Sequence, residues 1–216
     1  MTLVEEIQKN GIALKIYYDE NCPSPCENYN LGTMVCWHHR HSLGHKHNYC
    51  DPNDFLISLA EDIVGDPDKV QQMSIEQCEE IIRKNAVILP LYLFDHSGLV
   101  MRTYPFSDPW DSGQVGWIYV LKEKIREEYK IKNITKKVRD RVVSVLNAEV
   151  KTYSQWMEGD VYGYILEDTR NIEKKEIDSC WGFFGTNWKE NGIADYIPTE
   201  YRFLVKPLPP IEAGAS

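Results

Sequence analysis

The chain is short of most features that announce a compartment or a chemistry. Its first eleven residues carry Glu5 and Glu6 where a secretory signal would have a basic start and an apolar stretch, so no export signal is expected. No apolar run approaches the roughly 20 residues that a membrane span requires. Six cysteines in 216 residues are too sparse for a disulfide scaffold, and they suit a reducing, cytoplasmic compartment. Positive charge is also scarce: 24 Lys and Arg face 33 Asp and Glu, a net charge of -9, so general nucleic-acid binding is not expected. The one basic run (Lys130, Lys132, Lys136, Lys137, Arg139 and Arg141) reads as a solvated helix face. There is no phosphate loop, no dinucleotide fingerprint, no metalloprotease helix and no nucleophile elbow.

What is present is enough for a core. Hydrophobic residues make up 43% of the chain and aromatics 12%, which argues against disorder over most of the length. Strands are expected over residues 12–18, 33–37, 86–94, 99–104, 115–121, 161–166 and 180–184. Asp51-Pro52 starts a helix that Gly65 stops, with Phe55, Leu56, Leu59 and Ile63 on one face. Ser74 and Gln77 form a capping box for a second helix, and helices follow over residues 122–129 and about 135–157. The last carries Val138, Val142, Val145, Leu146, Val150 and Tyr153 as an apolar stripe. Pro90 inside a strand implies an edge or a bulge. The expected fold is α+β: one domain over residues 1–206 with a mixed, mostly antiparallel sheet under the long helix, and an extended tail over 207–216.

Residues 22–50 concentrate metal-ligating side chains. Four of the six cysteines and five of the six histidines fall in these 29 residues, where even spacing would put about two. Thiolate and imidazole are the ligands of a tetrahedral zinc site. Cys22 and Cys26 are spaced so that one turn presents both sulfurs, while Cys36 and His38 share a strand face. These four are the expected zinc ligands, with His45, His47 and Cys50 as substitutes, and zinc is the only cofactor expected. A closed site of this kind would be structural before it was catalytic.

Two other stretches carry chemistry. Asp95, His96 and Ser97 invite comparison with a triad, but three adjacent turn residues cannot orient one another as base and nucleophile. Asp95, His96 and Asp111 remain as catalytic candidates, and the turn and the loop after it should bring Asp111 near His96. Cys180 beside Trp181, Phe183 and Phe184 reads as a buried strand residue, and with every histidine upstream of it no catalytic cysteine is expected there. The segment from Tyr104 to Trp117 joins Pro105 and Pro109 to Phe106 and Trp110. A proline-fixed loop that displays aromatics is suited to gripping another surface. Phe106, Asp108, Trp110, Asp111 and Gln114 are therefore the expected binding residues.

Asn30-Leu-Gly-Thr-Met-Val-Cys36 with His38, Asp108-Pro-Trp-Asp-Ser-Gly-Gln-Val-Gly116 and Asp178-Ser-Cys-Trp-Gly182 together resemble motifs of a protein family encoded by bacteriophages and other mobile elements. Residues 122–129 and 159–163 fit the same pattern, so the likeness covers most of the chain. The resemblance implies a setting, not a catalytic residue. It implies an accessory protein in the cytoplasm of a bacterial host, binding a host protein without catalysis. A restriction or CRISPR component is the target class that the setting suggests. The alternatives are a metal-dependent hydrolase or nuclease using the Cys/His cluster with Asp95, His96 or Asp111, and a structural zinc module.

Overall fold

The strands form two separate four-stranded antiparallel sheets where the sequence suggested one, and the α+β class is as expected. The structure is a computed structural model that describes residues 1–96, 98–170 and 175–205. Ser97 and the expected tail over 207–216 lie outside the described residues. In chain order the elements are β1 (Leu3–Lys9), β2 (Ile12–Tyr18), β3 (Thr33–Cys36), α1 (Pro52–Val64), α2 (Pro67–Val70), α3 (Ile75–Asn85) and β4 (Ala86–Asp95). They continue with β5 (Leu99–Arg102), β6 (Ser112–Leu121), α4 (Lys122–Tyr129), α5 (Lys136–Glu158), β7 (Val161–Asp168), β8 (Lys175–Phe184) and α6 (Ile193–Tyr196). No described helix is long and apolar enough to cross a membrane.

The described residues divide into two compact units: residues 1–23 with those from 155 onward, and those within 24–154. In the first, the order is β1-β2-β7-β8, and Ile12, Leu14, Ile16, Tyr164 and Leu166 pack with Trp188, Ile193 and Ile197 from the C-terminal segment. β1 is not among the strands expected from the sequence, because its residues are polar and mostly exposed. The backbone makes the strand instead. Asn10 and Gly11 both take positive φ, 54° and 75°, the turn that joins two antiparallel strands most tightly.

The second unit holds the site. Its sheet runs β3-β6-β4-β5. Strand alternation sends Val35, Trp117 and Tyr119 to the face covered by Phe55, Leu56 and Leu59 of α1 and Ile82 of α3. The opposite face receives α5 through Val142, Leu146, Val150 and Tyr153, all buried, while Val138 and Val145 of the expected stripe are only half-buried. Pro90 sits where β4 pairs with β6 but β5 does not reach, next to a register shift between Leu91 and Tyr92. Its missing N–H therefore costs no ladder bond on the open side.

Gly32 and Gly116 hold positions where packing leaves no room for a side chain. A Cβ on Gly116 would stand 1.9 Å from the Val35 carbonyl oxygen across the ladder. One on Gly32 would meet Leu146 and Ile118 within 2.8 Å. Asn30 to Gly32 is then tied down by α4 and α5. The Leu31 and Gly32 N–H groups donate to the Glu149 carboxylate at 2.7 and 2.9 Å, and Lys124 donates to the Asn30 carbonyl at 2.9 Å.

Candidate functional site

Topology puts the chemistry at one end of the second sheet. β3 and β4 both run antiparallel to β6, so they run parallel to each other with β6 between them. Their C-terminal ends therefore lie together beside the start of β6. His38 follows β3, Asp95 ends β4, and Trp110 and Asp111 lead into β6. Trp37 N–H donates to the Val115 carbonyl at 2.8 Å and Asp95 N–H to the Asp111 carbonyl at 2.9 Å, which extends both ladders into the site.

Asp95 is the centre of the group. One of its oxygens, Oδ2, lies 3.6 Å from His38 Nε2 and 3.9 Å from His41 Nε2, and it accepts a hydrogen bond from the Arg40 guanidinium. The His38 and His41 rings stack, with centroids 5.1 Å apart and planes 16° apart. The His38 side chain is 11% exposed. Burial, followed by the neighbouring His39 and His41, pushes its pKa below the ordinary 6.5, and Asp95 only partly opposes them. His38 is therefore neutral at pH 7 and available as a ligand. His38, His41 and Asp95 could hold a metal ion, their donor atoms all lying within 4.8 Å of one another.

The expected zinc set does not form such a group. Among the described residues His38, His41 and Asp95 are the only cluster of that kind, and of the four expected ligands only His38 belongs to it. Cys36 is buried in β3, where burial pushes its thiol up to about 12, and burial likewise raises Cys26 to about 11. Both are protonated at neutral pH. Burial also raises Cys22, which belongs to the first unit, and Cys50 is exposed at the start of α1. The substitutes His45 and His47 are used as latches. His45 Nδ1 accepts from Met34 N–H at 3.0 Å, and His47 Nε2 donates to the Cys36 carbonyl at 2.9 Å. Both bonds pin the loop after β3 back onto β3.

The basin opens on two sides of His38. One cavity, of about 520 Å³, is lined by Trp37, His39, His41, His45 and His47 among others. The second, of about 310 Å³, is lined by His38, Arg40, Asp95, Trp110, Asp111 and Ser112 among others. Asp111 does meet His96, Oδ2 to Nδ1 at 2.9 Å, at a place where the His96 side chain is 66% exposed.

The loop over residues 103–111 is held from within. The Arg102 guanidinium lies 3.6 Å from the Phe106 ring centroid and 4.3 Å from that of Tyr104. It also donates to the Tyr104 and Pro105 carbonyls at 3.0 and 2.6 Å. Asp108 accepts from Trp110 N–H at 2.9 Å, and the Ser112 hydroxyl donates to the Asp108 carbonyl. Phe106 packs on Phe94, and the Gln114 amide turns back to the Gly116 carbonyl. Of the five expected binding residues, Phe106, Asp108 and Gln114 thus shape the loop and its strand. Trp110 faces outward, with 92% of its surface exposed, and Asp111 is half-buried against His96.

Sequence reasoning joins the Cys/His cluster to Asp95 only in the hydrolase alternative, and it misses His41 as a ligand and His38 as the partner of Asp95. The only signal for either is strand order: two strands flanking a third must end at the same edge. Comparison of the chain with protein-family models, with curated proteins and with solved structures found no match.

Proposed function

We infer that this is a phage or mobile-element accessory protein that acts by binding a bacterial host protein, with the Trp110 loop as the contact. The observation that carries the reading is Trp110 itself, 92% exposed on a loop whose backbone is already fixed by Arg102, Asp108 and Ser112. An indole displayed on a fixed loop loses little freedom when it enters a partner's pocket, so most of its burial is realised as affinity. Tyr104, 60% exposed, adds apolar surface on the same loop. Arg40, Asp95 and Asp111 around the neighbouring cavity supply a polar rim. An immune effector of the restriction or CRISPR type is the target class that the resemblance suggests. Zinc is the ion this reading assigns to His38, His41 and Asp95, in place of the cysteine-based set.

The test uses the full chain as bait in host lysate beside Trp110→Ala at equal folded concentration. One identified host protein retained by the wild type and lost with Trp110→Ala supports the reading. Equal capture by both proteins overturns it.

A further inference from the structure

Arg40 already holds the place of a cation. Its guanidinium sits on Asp95 Oδ2, the same oxygen that His38 and His41 approach through Nε2. Its backbone N–H donates to His38 Nδ1 at 3.3 Å. A metal ion held by the three side chains conflicts with both contacts. A carboxylate oxygen bound to a small dication has less charge left for a guanidinium. An imidazole that binds through Nε2 carries its proton on Nδ1, which cannot then accept from Arg40 N–H.

The donor separations are close to what an ion needs. Bonds of about 2.0–2.1 Å to a tetrahedral zinc put ligand atoms roughly 3.4 Å apart. The two Nε2 to Oδ2 separations are 3.6 and 3.9 Å, and all three donor atoms lie within 4.8 Å of one another. Closing on a tetrahedral ion means shortening these separations by roughly 0.2–1.4 Å, and His41 lies outside the strands. Two imidazoles and one carboxylate select a borderline transition-metal dication over calcium or magnesium. Three protein ligands leave a fourth position for water or for a donor atom of a partner.

We propose that His38, His41 and Asp95 form a site for a zinc-class divalent cation, and that Arg40 is a built-in competitor released when the ion enters. The inference takes up the zinc part of the reading above and is independent of the Trp110 surface. The ion then has an effect beyond its own site. Arg40 lines the same cavity as Trp110, so metal uptake changes the charge displayed beside the indole.

Tag-free full chain, freed of metal with a chelator, is titrated with cobalt(II) and then zinc(II). The expected result is one cobalt per chain with visible ligand-field bands and no thiolate charge-transfer band, displaced by zinc. Asp95→Asn should weaken uptake by more than about a hundredfold, since even an outer-shell change costs 10–100-fold. His41→Ala, on a loop outside the strands, should do the same with an unchanged melting temperature, and so covers any misfolding of Asp95→Asn. Arg40→Gln should bind roughly two- to fivefold more tightly, the scale of an exposed ion pair. No cobalt uptake by the wild type, or a thiolate band that survives Asp95→Asn, overturns the site. Equal or weaker binding by Arg40→Gln overturns the exchange. Cobalt uptake is read without any partner, so a failed titration leaves the Trp110 surface standing.

Discussion

The loop after β3 contains two kinds of histidine. His45 and His47 each spend a ring nitrogen on the backbone of β3, and they hold the loop against the sheet. His38 and His41 turn the other way, toward Asp95 at the edge of the sheet. All four belong to one stretch of biased composition, and residue counting treats them alike. The sheet sorts them. A ring that satisfies a buried backbone group is committed to the fold, whereas a ring that faces a half-open carboxylate is free to take a ligand. The same division runs through the aromatic loop, where Phe106 packs inward and Trp110 points outward.

If the inward side is the structural one, the largest effects of substitution should fall there. Leu146, fully buried in α5, lies beside Ile118 and against Gly32. Leu146→Ala should cost about 2–5 kcal/mol by leaving a cavity, read from denaturant melts. Next comes Glu149, whose two oxygens accept from two neighbouring N–H groups. Burial raises its pKa above the ordinary carboxylate range, although those bonds and Lys124 oppose the shift. Glu149→Gln keeps the size but turns an NH₂ donor toward one of the backbone donors, and should cost about 2–3 kcal/mol. A silent Glu149→Gln would show that the turn before β3 does not need this anchor.

Much of this frame is legible in the sequence. The Asp51-Pro52 start of α1, its Gly65 stop and the Ser74–Gln77 capping box stand where local chemistry places them, because caps are short-range effects. The Asn10-Gly11 turn is a local signal too, but the polarity of β1 hides the strand it begins from a search for apolar alternation. The division of the strands between two sheets is not legible, since pairing partners far apart in sequence leave no local mark. The site suffers from the same gap. His38 and Asp95 are 57 positions apart in the chain and meet only because β6 lies between β3 and β4. The meeting of Asp111 with His96 is within reach of the sequence, because β4 and β6 pair directly.

Acid should show what the His45 latch contributes. His45 accepts a hydrogen bond as a neutral ring, and burial, the largest cause, holds its pKa below the ordinary 6.5. The unfolded chain therefore takes up that proton first as pH falls. The stability that His45 contributes is complete above about pH 6.5 and is lost as pH falls through its folded value. His45→Ala should cost about 1–2 kcal/mol at pH 7.5 by stranding Met34 N–H, and it should flatten the fall in melting temperature between pH 7 and pH 5. His41→Ala should leave that part of the curve in place.

The smallest effect on stability belongs to the outward side. Trp110 is 92% exposed and takes part in the fold through its backbone N–H, which Asp108 caps. Trp110→Ala keeps that bond and leaves no cavity, so it should change stability by no more than about 0.5 kcal/mol. Asp111 adds only a surface pair with His96, of the kind worth about 0–1 kcal/mol, so Asp111→Ala should also be mild. Asp108→Ala makes the contrast. It removes the acceptor that caps Trp110 N–H, and it should loosen the loop with Trp110 still present. Three melting curves, set beside partner capture per folded molecule, then distinguish display of an indole from support of a fold. Trp110→Ala should lose capture with its melting temperature intact, and Asp108→Ala should lose part of it through a more mobile loop. A fall of several degrees for Trp110→Ala, with capture unchanged per folded molecule, would place Trp110 on the structural side and end the comparison.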